Sequence, residues 1–401
     1  MKKAAFSLGL CLLTFIHLGA GSLCAQLQTE FGQSLLEKEP EKPETESAEL
    51  ILDAHFSNTF NNHIELGLSV DPYTSSLAGE DDPQLIGLIN RIGVTLGGDL
   101  PVVDKLRFRL QYTPQVENYN GAEGKLDEFD AFSNLLSTEL SFQPIPNLPP
   151  LVASYQLQRL TRTSNVYNNM EQQFGFRFGR VLAYNFRLHR FDDEESRRED
   201  FLLVGSNNHK MTSRLQFGIL KQMLGKLEYT VEHGSYQTNL NNLILGITGL
   251  EENERRNDLR HIGTAKLIQV ATERLMFQEE INLFFNRSNV DFFNFVSTEM
   301  AASSFYRLEA GRWLRLRFSR LWVTFEGRQI LEESGLVTEG TPNRQDTQIG
   351  ANILLNWQFN EHLTLNADYQ ITQNRTNEKD PFLDFLNYTH TIATVTLRGA
   401  Y

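Results

Sequence analysis

From Leu50 onward the chain is written largely in a period of two, apolar and polar positions alternating in short runs. Leu50, Leu52, Ala54 and Phe56 share one parity, which continues through Ile64, Leu66, Leu68 and Val70 as one long strand or two short ones about Asn61-Asn62. Alternation of this kind places one set of side chains on each face of a β-strand. It recurs over Ile86–Leu96 and Leu106–Tyr112, joined by the turn GGDLPVVD. Phe132–Phe142 and Leu151–Leu160 follow, joined by PIPNLPP, where proline at that density marks a turn outside any ladder. Phe174–Phe178 returns through Tyr184–Leu188, and Leu215–Ile219 through Leu227–Val231. Arg260–Ile268 pairs with Leu275–Phe285, Phe305–Arg312 with the run Leu321-Val323-Phe325, and Ile349–Phe359 with Leu363–Ile371. Asn387–Tyr401 makes the closing strand, with Ala393, Val395, Leu397, Gly399 and Tyr401 on one side and Thr394, Thr396 and Arg398 on the other.

Seven tight pairs with an opening and a terminal strand make sixteen. The remaining connections are longer and polar: Asp71–Leu85, Pro114–Asp130, Thr161–Asn169, Phe191–Asn208, Thr238–Asp258, Ser288–Ala302, Glu332–Gln345 and Gln373–Leu386. Strict alternation of short and long connections predicts an all-β fold, a transmembrane antiparallel barrel of about 16 strands, with both ends on the periplasmic side. A two-layer sandwich exported to the periplasm is the competing architecture, but it requires neither that alternation nor a terminal aromatic. The terminal residues Ala393 to Tyr401 are accordingly expected to close the barrel and to address it to assembly machinery.

Two further patterns fit a membrane wall. Tyr112, Phe285 and Tyr369 are expected at outer strand ends and Phe142, Trp357, Phe359 and Tyr401 at inner ends, as interfacial girdles. Loop bases repeat: Arg162-Thr163-Ser164-Asn165 before Tyr167-Asn168, Arg287-Ser288-Asn289 before Phe293-Asn294, and Arg375-Thr376-Asn377 before Phe385-Leu386-Asn387. Ser, Thr and Asn there can hold local backbone, and the arginines suit phosphate or sugar. With the final hairpin, including LTLNADYQITQNRTN, these repeats resemble the β-barrel porin 2 family of outer-membrane proteins, although the last loop, NEKDPFLDFLNY, is more apolar than the family's usual return. That resemblance implies a porin-like barrel, often associated with exopolysaccharide production.

Composition points to an exported protein. Lys2 and Lys3, an apolar run from Ala4 to Leu18 and Ser22-Leu23-Cys24-Ala25 form a secretory signal peptide over residues 1–25. Leu23 is larger than the Gly, Ala or Ser usual before a lipidated cysteine, which disfavours a lipoprotein. Residues 26–49, with EKEPEKPETESAE, form a disordered acidic lead-in, and 50–401 the barrel. Both cysteines, Cys11 and Cys24, lie in the signal, so cleavage near Ala25 leaves no thiol for a disulfide, zinc site or nucleophile. A net charge of −13 argues against nucleic acid. The expected partners are outer-membrane lipid and lipopolysaccharide of a Gram-negative bacterium, the barrel-assembly machinery, and small hydrophilic solutes or polysaccharide.

In a barrel, chemistry belongs to the inward face. Parity sends Arg91, Arg107, Arg109, Arg177, Arg187, Arg214, Arg307, Glu309, Arg315, Arg317, Glu326, Arg328, Asp368 and Arg398 there as pore-lining candidates, with Glu65, Glu139, Glu228, Glu232, Glu280 and several Asn and Gln between them. Charges of both signs and amides suit a hydrated pore. The alternative is a salt-bridged plug, which sixteen strands make too wide to fill with side chains. The arginine excess favours anionic or sugar solutes. Nine histidines show no HExxH spacing, and neither GxSxG nor a glycine-rich phosphate loop occurs, so no catalytic residue, metal site or cofactor is expected. Asp192-Asp193-Glu194-Glu195 reads as a solvated acidic loop. The expected activity is a passive porin-like conduit. A non-channel barrel in exopolysaccharide export, assembly or surface interaction, working through its long loops, is the other reading. Asp291-Phe292-Phe293 or the loop LNNLILGITGL would constrict the channel by folding inward.

Overall fold

In the computed structural model the described residues are 49–61, 87–103, 105–121, 130–145, 148–163, 168–191, 205–236, 256–309, 311–330, 342–377, 379 and 387–400. The signal peptide, the lead-in before Glu49, Ile64–Val70, Glu65, Asp192–Glu195, LNNLILGITGL and Tyr401 lie outside them.

The strands are β1 (Glu49–Asn61), β2 (Gly87–Val103), β3 (Leu106–Gly121), β4 (Ala131–Phe142), β5 (Leu151–Arg162), β6 (Asn169–Phe178), β7 (Leu182–Phe191) and β8 (Ser206–Leu220). The second half comprises β9 (Met223–Tyr236), β10 (Arg256–Val270), β11 (Leu275–Ser288), β12 (Phe295–Glu309), β13 (Arg312–Gln329), β14 (Asn343–Gln358), β15 (Leu363–Thr376) and β16 (Thr389–Ala400). Each pairs antiparallel with its sequence neighbours, and β1 pairs with β16 from Asp53↔Ala400 to Asn61↔Ile392, closing a sixteen-stranded barrel. Closure removes every sheet edge, so the backbone groups of each strand meet partners on both sides. The seven tight-turn pairs form as the alternation predicts, with both described chain ends on the short-turn side.

Strands run longer than the periodicity indicates, for identifiable reasons. β2 continues through Gly97-Gly98 to Val103, and the turn closes at Lys105, whose φ of 71° is left-handed. Gly97 is no turn residue: a Cβ there would lie 2.4 Å from the Leu110 carbonyl oxygen, so only glycine permits that approach. Pro114 was expected to start a loop but lies inside β3. Lacking an N–H, it interrupts only the β2 side, where partners jump from Gly93↔Gln115 to Leu96↔Tyr112, while Pro114↔Asn134 persists on the β4 side. Tyr112 and Tyr369 therefore sit mid-strand rather than at outer ends. The predicted strand Phe305–Arg312 is divided by a turn at Gly311, Arg312 opening β13, and the loop Ser288–Ala302 shrinks to Asn289–Asn294 because β12 starts at Phe295.

The loop-base repeats act as backbone clamps. Asn168 Oδ1 accepts the Arg162 amide at 2.6 Å, Asn294 Oδ1 the Ser288 amide at 2.7 Å, and Asn387 Oδ1 the Thr376 amide at 2.9 Å. Asn289 and Asn377 repeat a second device, accepting the Asn257 and Gln345 amides of the preceding strand at 2.8 and 2.7 Å. Each satisfies an amide at the point where a strand leaves its ladder.

Outward positions carry the large apolar side chains in the open: Leu215 is 50% exposed, Phe318 65% and Ile353 46%. A continuous apolar exterior on this scale suits hydrocarbon as its solvent.

Candidate functional site

The register fixes which side chains look inward. Starting from Asp53, His55, Ser57 and Thr59 on β1, the inward set follows rung by rung, through Arg91 and Asp99 on β2 and Arg107, Arg109 and Glu117 on β3. Arg91 pairs with Glu117 at 3.0 Å, while Arg107 and Arg109 converge on Asp99 at 3.2 and 2.8 Å. Arg177 lies 3.9 Å from Glu139 and Arg214 2.6 Å from Glu228. Arg187 stands opposite Gln173 on the same face. Arg317 bridges Glu299 and Glu280 at 3.0 and 3.6 Å, and Arg315 donates to Asn352 at 2.8 Å. Asn352 in turn donates to Asp368, and Arg398 pairs with Asp53 across the β1–β16 closure. Glu309 pairs with Arg312 at the β12–β13 turn, at 2.6 Å.

These ion pairs are not packed shut. The side chains of Arg107, Arg109, Arg177, Arg214 and Arg398 are 48–60% exposed although they face the barrel interior. A charged side chain that open must be hydrated.

Glu326 corrects the parity reading. The β13–β14 register is unbroken from Arg312↔Trp357 to Thr324↔Gln345, so Arg315, Arg317, Leu321, Val323 and Phe325 share the inward face. Glu326 therefore points outward, where it pairs with Arg287. Leu321, Val323 and Phe325 are apolar although they face inward, so composition does not mark the inner side of this stretch. A strand cannot carry Arg315 and Glu326 on one face without a bulge between them. The register does shift, but only after Thr324, and Arg328 beyond it is buried against inward aromatic rings.

That misread segment belongs to an inward cluster at the long-connection end. Phe295, Val323 and Phe325 are buried together, with Phe284 and Leu321 against them. The β11–β12 connection carries a single 3-10 turn, Asp291–Phe293, that lies along the inner wall. Gly327 makes this possible, since a Cβ there would be 2.0 Å from the Asp291 carbonyl oxygen. Asn286 donates to the Phe293 carbonyl at 2.6 Å and Arg328 to the Phe292 carbonyl at 3.0 Å. Arg256 lies between the rings of Tyr236 and Phe293, at 4.2 and 4.0 Å, and Arg328 between Phe292 and Phe325, at 4.2 and 4.4 Å. Asp258, fully buried, takes Arg256 at 3.0 Å and Arg260 at 3.2 Å, while Arg260 also reaches Glu232 at 3.3 Å. Asp291–Phe293 thus packs against β11 and β13 through Asn286, Gly327 and Arg328. Alternation alone does not reveal the arginine–aromatic stacks; the change of apolar parity within β13, from Leu314, Leu316 and Phe318 to Leu321 and Val323, was the available signal.

At the short-turn end the inner wall of β11–β16 holds a recess of about 820 Å³, lined by Phe305, Arg307, Trp313, Asn356, Asn366 and Arg398 among others.

No protein-family model matches the chain and no curated protein matches it, so the likeness to the β-barrel porin 2 family remains one of motif and architecture. Solved structures do match. OccAB1 of Acinetobacter baumannii is 8% identical with a TM-score of 0.50, covering 88% of this chain and 96% of that chain. The outer membrane protein OpdK from Pseudomonas aeruginosa is 8% identical with a TM-score of 0.45, covering 88% and 99%. A bacterial polysaccharide outer membrane secretin is 9% identical with a TM-score of 0.44, covering 88% and 98%. At such identity the likeness to OccAB1 is one of fold alone.

Proposed function

We propose that this chain is an outer-membrane pore, a passive porin-like conduit for small hydrophilic solutes. The supporting observation is the half-exposed ring of inward charges on β3, β6, β8 and β16. A barrel closed by side-chain packing would bury such groups or replace them, because an unhydrated charge inside a protein is costly. Strands of 10–18 residues match or exceed the roughly 9–11 needed to cross a bilayer. The short turns and both chain ends face the periplasm, and the long connections face outward. The Asp291–Phe293 turn and its arginine–aromatic stacks narrow the outer end, and the arginine-rich wall favours anionic or sugar solutes over cations.

Refolded protein in a planar bilayer tests this. Discrete, ohmic current steps are expected, with a reversal potential in a salt gradient displaced toward that of the anion. A correctly folded barrel that carries no current would overturn the reading.

A further inference from the structure

We infer that the short-turn recess is a binding subsite for a carbohydrate bearing a carboxylate, a uronic-acid sugar or a short oligosaccharide containing one. This rests on the pore reading and names the solute class for it.

The inference follows from one row of the register. Reading across strands, Arg307 on β12 stands opposite Trp313 on β13, and Trp313 opposite Asn356 on β14. Asn356 faces Asn366 on β15, Asn366 faces Thr396 on β16, and Thr396 faces Ser57 on β1. The inner wall therefore presents a guanidinium, an indole, two carboxamides and two hydroxyls in line, at intervals of about 4.8 Å, and the first four of these line the recess. The indole is half-buried and lies beside Phe305, with ring centres 6.3 Å apart. A pyranose presents a C–H face to such a ring and hydroxyls to its flanks. The Asn356 and Asn366 carboxamides, joined at 2.7 Å, keep donors and acceptors for those hydroxyls.

The charge at the end of the row selects among sugars. Arg307 has no ion-pair or side-chain hydrogen-bond partner among the described residues, and neither has Arg274 on the same recess. Of the other charged groups there, Glu309 pairs with Arg312 and Arg398 with Asp53, and Glu361 lies 3.4 Å from the His362 ring. Two uncommitted guanidinia beside an aromatic platform fit a planar carboxylate, which arginine binds through two parallel hydrogen bonds. A volume of about 820 Å³ lies in the range of small-molecule sites, roughly 300–1,000 Å³.

Cellobiose and cellobiouronic acid, which differ in a carboxylate, are the probes. Half-block of the current through the full-length protein in a planar bilayer is measured for each. Binding to the folded protein in detergent is measured by titration calorimetry, which needs no current. Cellobiouronic acid should block and bind at least about tenfold more tightly than cellobiose. Trp313→Ala should weaken both sugars about tenfold, with Trp313→Phe retaining most of the affinity. Arg307→Gln should remove the preference for the acid while leaving cellobiose unchanged. Equal affinity for the two sugars, or Trp313→Ala and Arg307→Gln proteins that bind like the parent, would overturn the inference. A folded protein that binds the acid but carries no current would instead overturn the pore reading and leave the subsite standing.

Discussion

Asp258 offers the sharpest test of the outer-end cluster. Its carboxylate is fully buried and meets Arg256 and Arg260, each with a side chain only 10% exposed. Two guanidinia and the carboxylates of Asp258 and Glu232 make a neutral set of four. Asp258→Asn leaves it with an excess positive charge and no change in shape. At about 4 Å and an effective dielectric near 20, each lost attraction is worth about 4 kcal/mol, offset by the several kcal/mol of desolvation that the buried carboxylate no longer costs. The amide still accepts a hydrogen bond, returning about 1 kcal/mol, and breaking one partner of a buried pair typically costs about 3–5 kcal/mol. Reversible denaturant unfolding into lipid vesicles, followed by tryptophan fluorescence, should show a loss of that order with an unchanged denaturant dependence. The double variant Arg256→Met/Asp258→Asn removes one charge of each sign, and a thioether fits between the Tyr236 and Phe293 rings. It should recover to within about 2 kcal/mol of the parent, since apolar replacement of buried pairs is often neutral. A single variant within about 1 kcal/mol of the parent would mean that the cluster is hydrated, and the account of a packed outer-end shelf would be wrong.

Three further outcomes test the parity of the wall. Ile353→Lys, on the outward face of β14, should destabilise the inserted barrel by about 2–4 kcal/mol, whereas Gln370→Lys, inward on β15, should cost less than about 1 kcal/mol in the same vesicle assay. Glu326→Gln removes an exposed outward pair, so stability should change by less than about 1 kcal/mol and ion selectivity in bilayers not at all; a shifted reversal potential would return Glu326 to the lumen. Gly97→Ala forces a methyl to 2.4 Å from the Leu110 carbonyl oxygen, and unfolding should show a loss of about 1–3 kcal/mol, with Gly263→Ala, whose Cβ meets nothing within 4 Å, as the tolerant control.

The strand pairing was legible because alternation and loop length are local properties. Each tight turn joins neighbours in sequence, and each closes where proline, glycine or a polar cluster marks it. Boundaries were less legible where a breaker residue serves a strand: the β2–β3 ladder misses two pairs at Pro114 on one side only, and Gly97 permits backbone contact within a ladder. Alternation indicates the inward parity at Arg91, Arg109 and Arg214, where polar residues alternate with apolar ones. It was misread at Glu326, where apolar side chains face each other inside the barrel instead of facing lipid. The short-turn recess needed the register itself, because Arg307, Trp313, Asn356 and Asn366 become neighbours only once three ladders are aligned.

The joining of β1 to β16 has a consequence for how the protein comes into being. Its nine rungs tie residues more than 300 positions apart, among them Thr59 and Thr394, whose hydroxyls meet at 3.0 Å. None of those rungs can form until nearly the whole polypeptide is in place, so maturation is all or nothing at this joint. A chain stopped before Thr389 would carry two raw margins into the lipid, and quality control would meet it as an open ribbon prone to stick to its own kind, never as a smaller hole.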